Sequence, residues 1–341
     1  MAATYTTLKD IAKEIGVSVT TISKVINNHP DISQTRRKQV LKLMEKKNYV
    51  PNVMAANLRR RKSKFIGFVI SDNTNPYYAR LLKGVEETLS MEGYQVIIFN
   101  TNENVDSERE FIKSMLAINV AGVIITPAQG NRESVDILKK FEIPYVITNR
   151  YLDKGEDNYV AVDDEEIGYI ATNHLLTRKP DVKVIYINGN QSISSSVDRK
   201  HGYLRALSER GIKNGMNMIY EDIMDIDSSY AIARKIFKSN TPPLSILCYS
   251  DYVAMGILQY LNENKIKIPD EVALMGIDDV EYASFTYPKL STVTIPQKNI
   301  GIESARLLMT LIKDKDRDEE HPPKASEQII LSAGLVVRES S

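Results

Sequence analysis

The residues of this chain that could do chemistry are carboxylates, amides and arginines, each placed just after a short apolar run. Asp72 and Asn75, Asn100 and Asn102, Asn149 and Arg150, and Asp163 stand in such places. So do Asn188 and Asn190, Ser250 and Asp251, and Asp278 and Asp279 further along. Groups of this kind accept and donate hydrogen bonds in pairs, which suits the vicinal hydroxyls of a sugar. Tyr77 and Tyr78 add flat apolar faces on which a sugar ring or a base could stack. Bond-breaking chemistry needs a different set. His29, His174, His201 and His321 have no triad-like or metal-like neighbours in sequence. There is no GxSxG elbow and no GxGxxG or GxxxxGK[ST] phosphate loop. The acid run Asp163–Glu166 has no His or Cys near it, so it reads as helix-start acid and not as a metal site. A binding protein is expected: no enzyme activity, no metal and no cofactor.

Those polar groups need elements to present them. Phe65–Ile70, Gln95–Phe99, Gly122–Thr126 and Tyr145–Thr148 read as strands. They alternate with helical stretches at Tyr77–Met91, Ser107–Ile118 and Arg132–Phe141. A second series has helices at Glu165–Leu176, Asp198–Arg210, Ser228–Phe237 and Tyr252–Glu263, with strands at Val184–Ile187, Ile246–Tyr249 and Val272–Gly276. Alternation of this kind predicts parallel sheets with helices on both faces, in two similar subdomains. In open parallel sheets a ligand sits beyond the carboxyl ends of the strands, which is where the polar set falls.

The first 64 residues are different. They carry 14 Lys and Arg against 4 Asp and Glu, whereas residues 65–341 carry 30 against 40, so the net charge of +0 hides a basic head on an acidic body. The head is suited to a polyanion. Leu8, Ile11, Ala12 and Ile15 keep helical spacing, with Thr7 as N-cap and Gly16 as stop. Ser18 opens a second helix with Ile22, Val25 and Ile26 on one face, and a third runs from Ser33 to about Lys47. Two short helices around a glycine turn match a helix-turn-helix, whose second helix enters the major groove. Its exposed N-terminal residues are predicted to be Val19, Thr20 and Lys24. A small helical bundle that binds a protein is the alternative.

The run LKDIAKEIGVSVTTISKVINN, residues 8–28, resembles the DNA-binding signature of the LacI/GalR family of bacterial repressors. NYVPNVMAANL, Asn48–Leu58, resembles that family's hinge helix, and the likeness continues through almost the whole chain. The resemblance implies DNA contacts from Thr7, Ser18, Val19, Thr20, Thr21, Ser23, Lys24 and Asn27, and from Asn52, Ala55 and Leu58 in the hinge. Leu58 occupies the place of a leucine that wedges between base pairs in the minor groove. Lys24 and Ala56 stand where the family usually has Arg, which alters the operator to be read. The run Arg59–Lys62 adds either phosphate contacts or a solvated junction. For the body the resemblance implies a type I periplasmic-binding-protein fold, an α/β body of two Rossmann-like subdomains. Its effector-binding residues would be Asn75, Tyr77, Tyr78, Asn149, Arg150, Asp163, Arg199, Asp251 and Asp278. Arg199 would grip the effector's hydroxyls with Asp251 opposite. Read alone, Arg199 is a helix-start charge that opposes the dipole, and Asp251 an N-cap.

The expected organisation is a helix-turn-helix domain over 1–50 and a hinge and linker over 51–64. An N-terminal effector subdomain covers 65–162 and 293–325, and a C-terminal one covers 163–292 and 326–341. The expected function is a transcriptional regulator, most often a repressor, controlled by a small ligand that is a sugar or sugar derivative. A purine-type ligand or a phosphocarrier protein as partner is the alternative. A homodimer on palindromic operator DNA follows from the two-fold symmetry of such sites. The tail Arg338–Ser341 has no heptad zipper, so no tetramer is expected. Apolar runs far below ~18 residues exclude a membrane span. The single Cys248, with no basic and apolar leader at Met1–Asp10, points to the cytoplasm. A periplasmic sugar-binding protein and a sugar-processing enzyme fit less well, the first for want of a leader, the second for want of a base and nucleophile.

Overall fold

A computed structural model describes residues 6–26, 29–47, 49, 63–153, 155–315 and 325–341, and the chain divides into two compact units, 1–63 and 64–341. The first unit has three helices, α1 (Leu8–Ile15), α2 (Val19–Ile26) and α3 (Gln34–Lys46). Thr7 starts α1 with a reciprocal cap: its Oγ1 accepts from Asp10 N–H at 3.3 Å while Asp10 Oδ2 accepts from Thr7 N–H at 2.8 Å. Gly16 ends the helix at φ 74°, a left-handed turn that a β-carbon would strain. Ser18 Oγ then accepts from Thr21 N–H at 3.1 Å and opens α2. Ile11, Ala12, Ile22, Val25, Val40 and Met44 close a small core between the three helices.

The second unit alternates as its hydrophobic pattern predicts. β1 (Phe65–Ile70), α4 (Pro76–Met91), β2 (Gln95–Asn100), α5 (Val105–Ala117), β3 (Gly122–Ile125), α6 (Glu133–Lys140), β4 (Tyr145–Thr148) and β5 (Tyr159–Val162) form its first half. The second half holds α7 (Asp164–Arg178), β6 (Lys183–Ile187), α8 (Ser194–Glu209), β7 (Ile219–Tyr220), α9 (Ile226–Ser239), β8 (Leu244–Cys248), α10 (Asp251–Glu263) and β9 (Val272–Met275). The chain then runs through β10 (Thr292–Thr294), α11 (Gln297–Lys315), β11 (Gln328–Leu331) and β12 (Gly334–Val336). One sheet is parallel with order β11-β5-β4-β3-β1-β2, the other parallel with order β7-β6-β8-β9, and β10 pairs antiparallel with β12. Consecutive residues Phe68, Val69 and Ile70 are all buried, because helices cover both faces of the sheet.

Two features depart from the sequence reading. The third passage between halves was expected near 326, yet Gln328–Leu331 pairs with Tyr159–Val162 in the first sheet, so the chain leaves that sheet only after Leu331. The reason is that β5 offers an unpaired edge, and an edge is capped most simply by a further strand. The long helix α11, not read from the pattern, packs on α4. Gly84 and Gly301 make this possible, since a methyl on either would strike the other helix's backbone. No helix among the described residues is long and apolar enough to cross a membrane.

Candidate functional site

Strands of both parallel sheets end at one cavity of about 360 Å³. Ser71 and Asp72 follow β1, Asn102 and Glu103 follow β2, and Asn149 and Arg150 follow β4. From the other half come Asn190 after β6, Tyr249 and Ser250 after β8, and Asp278 after β9. The volume is that of a small-molecule site. Asn149 holds φ 69°, a left-handed turn that asparagine tolerates, and so turns its amide toward Tyr77.

The cavity's two arginines are both held by carboxylates. Arg150 donates to Glu103 Oε1 at 2.9 Å and to the Pro127 carbonyl at 2.6 Å. Arg199 donates from Nε to Asp164 Oδ1 at 2.7 Å and from Nη1 to the Tyr249 carbonyl at 2.6 Å, while its guanidinium lies 4.7 Å from the Tyr249 ring centre. Burial would depress each guanidinium, but Glu103 and Asp164 outweigh it and hold both well above the ordinary arginine value. Arg199 and Asp164 meet because α7 and α8 pack backbone to backbone. A methyl on Gly168 would strike the Arg199 carbonyl, and one on Gly202 the Glu165 carbonyl.

The tyrosines serve as fixed walls. Tyr77 donates its hydroxyl to Asn149 Oδ1, and Tyr78 shares one with Ser71 Oγ. Their rings meet edge to face at 5.4 Å. Burial pushes the Tyr78 phenol up to about 12, so it stays neutral. Asp278 is 4% exposed, and burial, opposed by Arg199, pushes its carboxyl up to about 7.

Of the residues proposed from sequence, Asn75, Tyr77, Tyr78, Asn149, Arg150, Arg199 and Asp278 line this cavity. Asp163 does not: its carboxylate caps α7, accepting from Glu166 N–H at 3.0 Å, and the next residue, Asp164, reaches Arg199. Asp251 does not either. It is fully buried beneath the cavity, accepting from Thr292 Oγ1 at 2.7 Å and Val280 N–H at 2.9 Å, and so braces the loop that carries Asp278. The first residue of a helix points its side chain back past the cap, here into the 276–280 loop, while the capping Ser250 faces the cavity. Ser71, Thr74, Glu103, Met224, Asp225 and Tyr249 also line it and were not proposed. Met224 and Asp225 follow a strand of two residues, too short to read. The two halves touch at the rim: Thr74 Oγ1 lies 3.2 Å from Tyr252 Oη, and Tyr151 donates its hydroxyl to Asp198 at 2.7 Å.

In the first unit α2 exposes Thr20, with Thr21, Ser23 and Lys24 half-buried beside it. Val19, expected to be exposed, leans instead on the small core. Lys24 Nζ stands 3.6 Å from Asp31 in a solvated pair. Thr7 and Ser18 are exposed and also cap their helices. Asn27, Asn52, Ala55 and Leu58, and with them the expected hinge helix, lie outside the described residues. No group of three or more His, Cys, Asp and Glu able to hold a metal occurs among the described residues.

Comparison with known proteins matches both units. The family model described as "Periplasmic binding proteins and sugar binding domain of LacI family" covers residues 63–331, and that described as "Bacterial regulatory proteins, lacI family" covers residues 7–52. The chain is 30% identical over 321 residues to the HTH-type transcriptional repressor PurR of Vibrio atlanticus (strain LGP32), across 93% of this chain and 96% of that protein. A transcriptional regulator CelR–cellobiose complex aligns with TM-score 0.74 at 25% identity, over 98% of this chain and 100% of the other. The Lac repressor dimer bound to operator and the anti-inducer ONPF shares the fold, with TM-score 0.83 at 20% identity over 99% of each chain.

Proposed function

This chain belongs to the LacI family of bacterial regulatory proteins, and we propose that it is a repressor whose grip on a palindromic operator is set by a neutral, sugar-type ligand in the cavity between its two α/β halves. The observation that carries the ligand reading is the lining itself. Donors and acceptors converge from both halves: Asp72, Asn75, Asn102 and Asn149 from one, Asn190, Arg199 and Asp278 from the other. Paired acceptors and amides match vicinal hydroxyls, and Tyr77 and Tyr249 offer flat walls for the ring. Arg199 has Nη2 left over after binding Asp164 and Tyr249, and it donates to the ligand in this reading. A ligand held by both halves favours one relative orientation of them, and only such a difference in affinity can shift the equilibrium.

A purine-type ligand is the second reading. The tyrosine walls with Met224 favour it, and the relative at 30% identity is named PurR. In either reading the protein acts by binding, as a homodimer in the cytoplasm. The head presents α2 to the major groove through Thr20, Thr21, Ser23 and Lys24, with Leu58 as the proposed minor-groove wedge.

A thermal-shift screen of neutral sugars, sugar phosphates and nucleobases, followed by operator titration with each hit, tests this. A neutral sugar should raise Tm by mass action and change operator affinity by roughly 5–150-fold. A nucleobase as the sole hit would replace the sugar reading with the purine one. Unchanged operator affinity with every hit would show that the signal enters elsewhere, through a protein partner.

A further inference from the structure

The cavity's charges do not balance. Among the described residues its lining holds four acids, Asp72, Glu103, Asp225 and Asp278, and two cations, Arg150 and Arg199. Each cation is already paired with a carboxylate, so a ligand meets no unbalanced positive charge, although Arg199 keeps Nη2 as a hydrogen-bond donor. Arg150 is neutralised by Glu103 at 2.9 Å and Arg199 by Asp164 at 2.7 Å, the latter outside the lining. Among the described residues Asp72 and Asp225 form no ion pair, and Asp278 feels only the Arg199 guanidinium that Asp164 already holds. Asp72 accepts only from Thr74, by its backbone N–H at 2.8 Å and its hydroxyl at 2.6 Å. Asp225 accepts from Ser228 N–H at 2.7 Å. Asp278 takes no hydrogen bond on its carboxylate from anywhere in the described chain, although it is buried; only its backbone is engaged, with Val293, Ile295 and Gln297.

The helix starts capped from the lining offer an anion no open cap in exchange. Three helices begin at the cavity, and helix starts are ready sites for phosphate when their N–H groups are free. Here a lining side chain occupies each one. Asn75 accepts from Tyr77 N–H at 3.0 Å on α4, Asp225 caps α9, and Ser250 accepts from Val253 N–H at 3.2 Å on α10.

We infer that the cavity is selective by charge: it admits neutral or cationic ligands and excludes anions, with Asp278 as the deep selector and Asp72 and Asp225 at the mouth. This rests on reading the cavity as the ligand site, and it separates a free sugar or amino sugar from its phosphate ester. Like charges about 4–6 Å apart in a medium of effective dielectric near 20 repel enough to weaken binding by roughly tenfold or more.

The chain contains no tryptophan, so Tyr249→Trp places a single fluorescent reporter in the cavity. Met224→Trp serves as a second reporter should the first fail to fold. At pH 8, where Asp278 is ionised, quenching by caesium and by iodide is compared with that of free N-acetyltryptophanamide. Caesium should be favoured over iodide by about twofold or more. Adding Asp72→Asn, Asp225→Asn and Asp278→Asn should remove the preference. Equal quenching, or a preference for iodide, in the unsubstituted cavity would overturn the inference. In a second arm, a phosphate ester of the best neutral sugar should bind at least about tenfold more weakly; an ester that binds as well or better also overturns it. If no sugar raises Tm but the caesium preference holds, the sugar reading fails and charge selection stands.

Discussion

Arg199 and Asp251 look alike in the sequence, each a charge near a helix start, and the structure gives them different work. Arg199 is buried at the cavity wall and held by Asp164, so removing either partner strands a buried charge at a cost of about 3–5 kcal/mol. Asp251 is a structural acid whose bonds to Thr292 and Val280 shape the loop above it. That loop carries Asp278, which titrates together with Asp251, since two buried carboxylates so placed cannot both ionise cheaply. Burial raises the Asp278 pKa from an unfolded value of ~3.9 to about 7. A raised carboxyl contributes its stability fully below the unfolded value, and that stability is lost as pH rises through the folded one. The ligand-free protein should therefore lose on the order of 3–4 kcal/mol between about pH 4 and pH 8 from this group. Asp278→Asn should flatten that slope. Tm measured at pH 5 and pH 8 in both proteins checks it, and identical slopes would mean that Asp278 is ionised throughout.

At the scale of elements, the cavity depends on how closely helices approach. α7 and α8 meet through Gly168 and Gly202, and this contact brings Asp164 to Arg199. Alanine ordinarily stabilises a helix interior over glycine by roughly 0.5–1 kcal/mol. At Gly202 the sign should reverse, because the added methyl meets the Glu165 carbonyl, which is backbone and cannot swing aside. Gly202→Ala should cost about 1–3 kcal/mol by forcing the helices apart, and it should weaken ligand binding by loosening Arg199. Denaturant unfolding with the ligand's thermal shift reads both, and a stabilised variant would show that the helices have room to spare. The head's elements rest on shorter-range logic: Thr7, Gly16 and Ser18 start and stop α1 and α2 by local hydrogen bonds and a single left-handed residue.

At the scale of the whole molecule, the charge split sets the division of labour. The first 64 residues carry an excess of ten basic groups, and the remainder an equal excess of acids. Lys and Arg that meet phosphates release counterions, so operator affinity should fall steeply with salt, by roughly 10³–10⁵ between 50 and 200 mM if six to ten phosphates are touched. A truncated chain beginning at Phe65 should keep the cavity and its ligand-induced rise in Tm while losing DNA binding altogether. Filter binding across a salt series, with the truncated chain alongside, measures both effects. DNA affinity retained without the head would move the nucleic-acid surface to the acidic body.

The amino-acid sequence determined what is local or periodic. The helix-turn-helix is written in the spacing of Ile11, Ala12, Ile22 and Val25 and in the caps around them. The parallel body is written in apolar runs that repeat between amphipathic helices, and the polar cavity in the residue types that follow those runs. Distance along the chain hid the rest. That Asp164 and not Asp163 meets Arg199, across 35 positions, depends on the rotation of α7 against α8. That Asp251 sits beneath the cavity while Ser250 faces it depends on a one-residue difference in direction at the start of α10. That Glu103 cancels Arg150 depends on the residues after β2 and β4 meeting along the carboxyl edge of the first sheet, although β1 and β3 lie between those two strands. Single-residue geometry of this kind is fixed only when helices and sheets pack, because packing chooses which side of each element faces in.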